Sequence, residues 1–513
     1  MSIQPLETEF GRKRRIDQSS CNKDFSCVNG FCPSFVTVHG ARTKKAEGIA
    51  GRADPLEGVP EPQQFPLDRD GWASIIDGVG GTGVVTIGAI LGMAAHLEGK
   101  GCGMIDMAGL AQKGGSVFSH VRIARTPDDI HAIRVSAGKA DLILGCDLVV
   151  SGARKVLAAV RENHTIFVAN TAEIMPGEFA RSADYSLPTE RLRKAIRQAA
   201  GEDKAHFFDA TRTASALFGN SVGANMFMLG FAYQHGGLPL SAEAIEKAIE
   251  LNGQAVPMNV SAFRWGRRAA HEPAFVRDLV ARSTGVATEP AVPTIDDVIA
   301  RRAEFLTAYQ DAAYARRYLD RISAIRAAET HAAPGSTDLT EAVAKNLFKL
   351  MAVKDEYEVA RLYTDGSFAK QLSKEFQSFD RLEFHLAPPI LGRKGADGKP
   401  RKSSFGPWMM RGFRLLAALK GLRGTAFDVF GYSAERRFEG ELLAQYEQDL
   451  DLILGLLSPD KIEAAAALAS VPSLIRGYGH VKRASADTAS GERARLLKRL
   501  SDTPVAPVLE AAE

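Results

Sequence analysis

The chain has 513 residues, 45% hydrophobic and 24% charged, a globular composition that argues against disorder along most of its length and suggests roughly three domains of about 150 residues. Lys+Arg 64 against Asp+Glu 61 leaves a formal charge of +3, so no overall field points to a nucleic-acid or membrane partner. Five cysteines are too few for a secreted disulfide scaffold, and three of them, Cys21, Cys27 and Cys32, share one short segment.

The start, MSIQPLETEFGRKRR, carries acids and no apolar run behind its basic cluster, and does not read as a secretory signal. The longest apolar stretch, 84–97, is broken by Thr86, Gly88, Gly92 and His96 and is too short for a bilayer. A cytoplasmic, reduced protein is expected. The segment CNKDFSCVNGFCPSF has the spacing C-x5-C-x4-C-P. Thiolates suit zinc or iron–sulfur clusters. The Cys-Pro ending is that of the bacterial ferredoxin run, although the spacings are wider, and the two-residue knuckles of zinc sites are absent. A [4Fe–4S] cluster needs four thiolates, so the segment reads as half a module, with structural thiols as the bland alternative.

Residues 41–71, rich in Gly, Pro and charge, read as a linker. A strand at 73–77, the turn GVGGTG and a buried helix at 84–96 follow. Short apolar runs at 103–106, 117–123, 141–145 and 165–169 read as strands, and 151–161 as a helix. This alternation predicts an α/β fold with a parallel sheet covered on both faces. Further on, Ser241 is a good N-cap for a helix burying Ile245, Ala248 and Ile249, with Gly253 as its stop. Beyond 272 the pattern predicts long amphipathic helices at 295–329 and 339–362, an interruption at 386–400, a helix at 440–457 and a frayed tail after 484.

Gly78-Val79-Gly80-Gly81-Thr82-Gly83 satisfies G-x-G-x-x-G between a strand and a helix, with Asp106 near the end of the next strand. This is the local form of a dinucleotide fingerprint, in which glycines admit a pyrophosphate and the helix N-terminus favours its charge. A tight turn that merely needs small residues is the alternative. A second glycine loop, Lys113-Gly114-Gly115-Ser116, precedes the next strand, so the two turns are expected to line one concave edge. Cys102 and Cys146 read as small core residues, and His96, His120 and His131 as structural. Arg423, Arg436, Arg437 and Arg476 suit either an anion or acidic protein surface, or plain helix-end solvation. Phe405, Trp408, Phe427, Phe430 and Tyr432 are expected in a core.

The run GVGGTGVVTIGAILGMAAHLEGKGCGMIDMAGLAQKGGSVFSHVRIA resembles the gamma domain of 2-oxoacid:ferredoxin oxidoreductases, the pyruvate/ketoisovalerate oxidoreductase domain. MLGFAYQHGGLPL and AFRWGRRAA resemble the end of that domain in fused indolepyruvate ferredoxin oxidoreductases, and CNKDFSCVNGFCPSFVTV the second half of their ferredoxin-like insert. LFKLMAVKDEYEVARLY, FHLAPPI, LRGTAFDVFGYSAERR and IRGYGHVK are similar to their terminal helical domain. The resemblance covers nearly the whole sequence in order. It implies a partial ferredoxin-like segment at 1–40, the linker at 41–71, a gamma-type three-layer α/β domain at 72–272, a mostly helical domain at 273–485 and a tail at 486–513.

The same resemblance implies oxidative decarboxylation of an aryl 2-oxoacid such as indolepyruvate. Thiamine diphosphate with magnesium stabilises the carbanion, coenzyme A takes the acyl group, and electrons leave through [4Fe–4S] clusters to ferredoxin. The sequence has no G-D-G run followed by the metal-binding Asn of a thiamine site and no C-x2-C-x2-C. Cys21, Cys27 and Cys32 would therefore complete clusters whose other thiolates sit on a thiamine-binding partner chain, or the chain is an inactive truncated remnant. An oligomer is expected. The gamma domain packs beside the thiamine site without performing the chemical step. Gly78, Gly80, Gly81, Gly83, Lys113, Gly114, Gly115 and Ser116 are thus contact candidates for a cofactor, and no catalytic residue is assigned here. The rival is a stand-alone dinucleotide-binding regulatory protein using GVGGTG and Asp106.

Overall fold

The computed structural model describes the chain except residues 1–2, 9–10, 17–24, 26–27, 29–34, 45–47, 53, 68–69, 82, 110–114, 176–178, 180–184, 285–293, 387–392, 395–399 and 502–513. It divides into two compact units, residues 1–24 with 45–290 and residues 25–44 with 291–513. Strands β1 (Ile3–Thr8) and β2 (Gly11–Ile16) form an antiparallel hairpin of the first unit, while β3 (Phe35–His39) and β4 (Arg42–Thr43) belong to the second.

The first unit is a three-layer sandwich. Its elements run β5 (Trp72–Val79), α1 (Val84–Leu97), β6 (Gly101–Ala108), β7 (Ser116–Ala124), β8 (Leu142–Gly145), α2 (Leu148–Ser151), α3 (Arg154–Leu157), β9 (Ile166–Asn170), α4 (Thr189–Ala200) and β10 (Ala205–Phe208). Helices α5 (Ala210–Phe218), α6 (Ala224–Gln234), α7 (Ala242–Asn252), α8 (Val256–His271) and α9 (Pro273–Thr284) complete it. The six strands lie in the order β10-β9-β8-β5-β7-β6. β5 reads WASIIDGV and is buried along nearly its whole length, because helices cover both sheet faces and no residue has a solvent side. Ile76 joins α1, α6 and α8 in one core, while Ile75 joins α2, α3 and α4 in the other. In α6 and α8 a Cβ on Gly230 or Gly266 would lie 1.9 Å from the carbonyl oxygen of Phe263 or Phe227, so the glycines let the two backbones touch.

The expected parallel sheet needs one correction. β5, β8, β9 and β10 are parallel, but β7 runs antiparallel to both β5 and β6. The connection from β6 to β7 spans only 109–115, too short for the crossover that parallel neighbours require. The helix expected at 151–161 is instead two short helices, α2 and α3, separated at Gly152 and Ala153, with Asp147 capping the first through the Val150 N–H at 2.9 Å. The Ser241 cap, the buried Ile245, Ala248 and Ile249 and the left-handed Gly253 stop of α7 are as expected. The segment read as a linker is tied down along much of its length: Ile49 is buried, Phe65 N–H donates to the Leu238 carbonyl, and Glu61 accepts from Arg267 and Tyr233. Val276 and Val280 of α9 enter the core of this unit.

The second unit is mostly helical. It contains α10 (Ile295–Tyr309), α11 (Ala312–Ala332), α12 (Asp338–Met351), α13 (Glu356–Thr364), α14 (Ser367–Glu375), β11 (Phe376–Ser378), β12 (Arg381–Leu386), β13 (Arg393–Lys394), β14 (Pro400–Arg401), β15 (Ser403–Phe405), α15 (Met409–Ala418), α16 (Ala434–Leu456), α17 (Ile462–Ser470) and α18 (Gly479–Ser501). Each long helix expected at 295–329 and 339–362 breaks in two, because Asp311 and Asp355 cap new helices at the Tyr314 and Glu358 N–H groups, both at 2.8 Å. The tail expected to fray is helical in α18, where Ala489, Leu496 and Leu500 are buried and Arg493 pairs with Asp449. Strand β12 pairs antiparallel with β3 on one side and β15 on the other. Among the described residues no helix is long and apolar enough to cross a membrane.

Candidate functional site

The register between β5 and β7 brings the two glycine turns together. Val79 faces Ser116 and Gly78 faces Val117, so the end of β5 meets the start of β7. The Gly80 N–H donates to the Gly115 carbonyl at 2.7 Å, and the Gly109 N–H at the end of β6 donates to Ser116 at 2.9 Å. Gly81 and Gly83 have φ of +88° and +90°, left-handed values that favour glycine, and a Cβ on Gly81 would meet nothing within 4 Å. Gly83 is the N-cap of α1, and among the described residues no side chain caps that helix. The open backbone at Gly81 and the uncapped start of α1 suit an anionic group such as a phosphate. Lys113 and Gly114, like Thr82 of the first turn, lie outside the described residues.

Asp106 does not fit the dinucleotide reading. In that motif the acid ends the strand beside the glycine-bearing one. Here Asp106 faces Ser119 on β7, and Ser119 faces Ile76 on β5, so a whole strand intervenes. Two strand spacings amount to about 10 Å. Local sequence order was right about strand, turn and helix, but the spatial order of strands moved the acid away.

Beneath the first turn lies a carboxyl that the motif reading missed. Asp77, the residue before Gly78, is fully buried and accepts from the Ser151 hydroxyl at 2.7 Å. Its second oxygen has no partner among the described residues. Gly145 opposite it makes room, since a Cβ there would lie 2.0 Å from Ser151 Oγ. Burial pushes the Asp77 carboxyl well above the usual carboxylate range, against the Ser151 hydrogen bond and together with the nearby Asp147 charge. The Lys155 ammonium lies 3.3 Å from the centre of the Phe118 ring, and Phe118 faces Asp77 across the sheet. The signal was present: an acid inside an apolar strand, IID, just before a glycine turn.

Cys21, Cys27 and Cys32 lie outside the described residues. The described residues before Cys21 belong to the first unit, while those beside Cys27 and Cys32 belong to the second, where Lys402 Nζ donates to the Val28 carbonyl at 2.8 Å and sits 4.6 Å from the Phe35 ring centre. Among the described residues no three His, Cys, Asp or Glu side chains group to hold a metal. Three thiolates also fall short of the four a [4Fe–4S] cluster takes, so this chain's residues do not fit a complete cluster by themselves. Cys146 is buried and Cys102 half-buried; burial raises both thiols, Cys102 to about 11, so both are protonated core residues. His120 Nδ1 accepts from the Val135 N–H at 3.1 Å, a structural role.

The arginines considered for an anion are mostly engaged inside the second unit. Arg423 gives two hydrogen bonds to Asp355, at 2.6 and 2.9 Å, and lies on the Tyr309 ring. Arg436 pairs with Glu439 and Glu356, and Arg476 Nε donates to the Ser473 carbonyl. The aromatic expectation also needs correcting: Phe405 and Phe430 are half-buried, but Trp408, Phe427 and Tyr432 are exposed. Far from the glycine turns, where β9 begins, Gln63, His164, Lys204, His235 and His271 line an open groove of about 630 Å³ that sequence reasoning did not foresee.

Residues 73–269 match the family described as pyruvate ferredoxin/flavodoxin oxidoreductase, and residues 295–495 match a family of unknown function. Indolepyruvate oxidoreductase subunit IorB of Pyrococcus horikoshii is 31% identical over 202 residues, which are 39% of this chain and 95% of that protein. The IorB subunit of Thermococcus kodakarensis is 30% identical over 200 residues, again 39% of this chain and 95% of the relative. Among solved structures, the gamma subunit of a keto/oxoacid ferredoxin oxidoreductase from Geobacter sulfurreducens aligns with 22% identity and a TM-score of 0.29, over 39% of this chain and 98% of that one. The matched relatives are thus about the size of the sheet unit, and the helical unit is additional.

Proposed function

Since the chain belongs to the 2-oxoacid:ferredoxin oxidoreductase family, we propose that it is a subunit of an indolepyruvate-type enzyme that oxidatively decarboxylates an aryl 2-oxoacid to an acyl-coenzyme A. The observation that carries this reading is the match to IorB subunits over 95% of their length. In the proposal, thiamine diphosphate with magnesium sits on a partner chain and supplies carbanion stabilisation there. This chain contributes the gamma-type domain and three thiolates, Cys21, Cys27 and Cys32, toward clusters completed by that partner, from which ferredoxin takes the electrons.

The glycine turns have a positioning role in this reading. Gly78, Gly80, Gly81 and Gly83, with Gly115 and Ser116, form a small-residue edge, to which Lys113 and Gly114 are assigned from the sequence alone, and the uncapped start of α1 holds an anionic group of coenzyme A. Burial raises the Asp77 carboxyl well above the ordinary carboxylate range, which favours its neutral form beneath a phosphate. The test is co-expression with a chain that bears the thiamine domains and a C-x2-C-x2-C group. The expected complex is brown and reduces a viologen dye with indolepyruvate and coenzyme A, while the chain alone does neither. Gly81→Val raises the KM for coenzyme A about tenfold and leaves that for the oxoacid unchanged. A colourless complex, or Cys27→Ala complexes that reduce the dye at the unaltered rate, overturns the electron-relay part. A melting-temperature rise with NAD(H) but none with coenzyme A overturns the ligand assignment.

A further inference from the structure

We propose that the outer face of α15 and the loop that follows it form a docking surface for a small acidic iron–sulfur protein, the electron acceptor of the reaction. The identity of the acceptor rests on the functional reading above; the surface itself rests on exposure, charge and connectivity within the second unit. Trp408 is 63% exposed, Leu415 66%, Phe427 77% and Tyr432 66%, and Leu419 and Val429 are exposed beside them in sequence. Six large apolar side chains exposed within one 25-residue stretch are more than the scattered surface hydrophobics that need no explanation, and suit an interaction site. Trp, Tyr, Phe and Arg are also the residues that dominate binding energy at interfaces.

The loop is held rigid from beneath. Asp428 is buried and accepts from Tyr357 and from the N–H groups of Gly424, Phe430 and Gly431. Arg423 anchors the loop on Asp355, and Tyr432 closes it by donating to the Ala426 carbonyl at 3.0 Å. Phe427 is thus presented outward by a fixed backbone.

Charge selects the partner. From 408 to 432 the chain carries Arg411, Arg414, Lys420 and Arg423, and its one acid is the buried Asp428. Arg423 is spent on Asp355 and Lys420 on the Ala308 carbonyl, which leaves Arg411 and Arg414 exposed and in no ion pair among the described residues. A second copy of the chain would bring arginines against arginines, so self-association through this face is disfavoured and an acidic partner favoured.

Connectivity then narrows the kind of acidic partner. The inner face of α15 packs through Phe413 on Phe384 of β12 and Tyr363 of α13. Strand β3, which begins three residues after Cys32, pairs with that same β12, Phe384 facing Val36. Val28, between Cys27 and Cys32, is held by Lys402 two residues beyond Pro400 in the same small sheet region. The backbone on both sides of Cys32, at Val28 and from Phe35 on, is therefore tied to the layer whose other side is α15. A partner seated on α15 is joined through Phe413, Phe384 and Val36 to the strand that begins three residues after Cys32.

Binding is measured on the full chain, immobilised, with a purified two-[4Fe–4S] ferredoxin as probe at low and moderate ionic strength. The wild type is expected to bind, and more weakly as salt rises. Arg411→Glu with Arg414→Glu weakens binding at least about tenfold and flattens the salt dependence. Phe427→Ser, on an exposed side chain, weakens it about fivefold at all salt concentrations while the melting temperature is unchanged. The proposal is overturned if the wild type does not bind the ferredoxin, if both variants bind it as the wild type does, or if anionic vesicles bind this face and ferredoxin does not displace them. Loss of oxoacid-dependent dye reduction in the partner complex, with ferredoxin binding intact, overturns the functional reading and leaves the docking surface standing.

Discussion

Near the strand ends of the sheet unit, Asp77 is fully buried with one oxygen on Ser151 and the other on no described group, whereas in the helical unit the buried Asp355 takes two nitrogens of Arg423. The same pairing recurs in the helical unit, with Arg493 on Asp449 and Arg361 on Glu358. Such bidentate pairs fix side chains within α13 or join it and α16 to their neighbours, and breaking one strands a buried charge. A lone buried carboxyl instead survives by keeping its proton. Residue type alone therefore does not decide: Arg423 and Arg436, which suit an anion as well as helix-end solvation, are structural, and the side chain under the glycine turn is an acid whose burial favours its neutral form.

The contrast breaks most visibly at Arg423. Arg423→Ala leaves Asp355 unpaired in the interior and should destabilise the helical unit by about 3–5 kcal/mol, read by denaturant unfolding. An unchanged midpoint would mean that the pair is not what holds α13 and the following loop. Next in size is Glu329, whose carboxylate accepts from the N–H groups of Leu339 and Thr340 at 2.9 and 2.8 Å and so caps α12 from a neighbouring helix. Burial pushes this carboxyl up, but the hydrogen bonds from Thr340, Leu339 and Ser336 outweigh it and hold the group below its ordinary value. Its contribution is therefore full above the ordinary carboxylate range and lost as pH falls through the lowered folded value. Glu329→Gln should cost about 1.5–3 kcal/mol near neutral pH and less in acid, measured by melting across pH.

In the sheet unit smaller effects are expected. Ser241→Ala removes the cap of α7, where Ala244 N–H donates to Ser241 Oγ and Ser241 in turn donates to Glu98, and should cost about 1 kcal/mol. The mildest change sharpens the comparison most. Asp77 binds its proton more tightly folded than unfolded, so it favours folding in acid, and that contribution declines as pH rises toward its raised folded value. Asp77→Asn should match the wild type in acid and melt higher than it in alkali. A variant that melts in parallel with the wild type at every pH would place a charge, not a proton, at this position.

Much of the sheet unit was legible because its signals are local. The strand before Gly78, the helix starting at Val84 and the cap of α7 each depend on residues a few positions apart. Helix breaks at Asp311 and Asp355 were equally local but were overridden in reading by the apolar periodicity on either side. The exposed Trp408, Phe427 and Tyr432 were misplaced because hydrophobicity reports a preference for burial and not the presence of a partner to provide it.

By itself the sequence determined the family, the glycine turns and the shortage of thiolates, since each is a matter of residue type and spacing along the chain. Tertiary structure alone decided that β7 lies between β5 and β6, taking Asp106 away from the first turn and bringing Gly115 against Gly80. It also decided which arginines find acids and which remain in solvent. Strand order, and pairs such as Arg423–Asp355 and Arg493–Asp449, join residues tens of positions apart, and no local pattern carries that information.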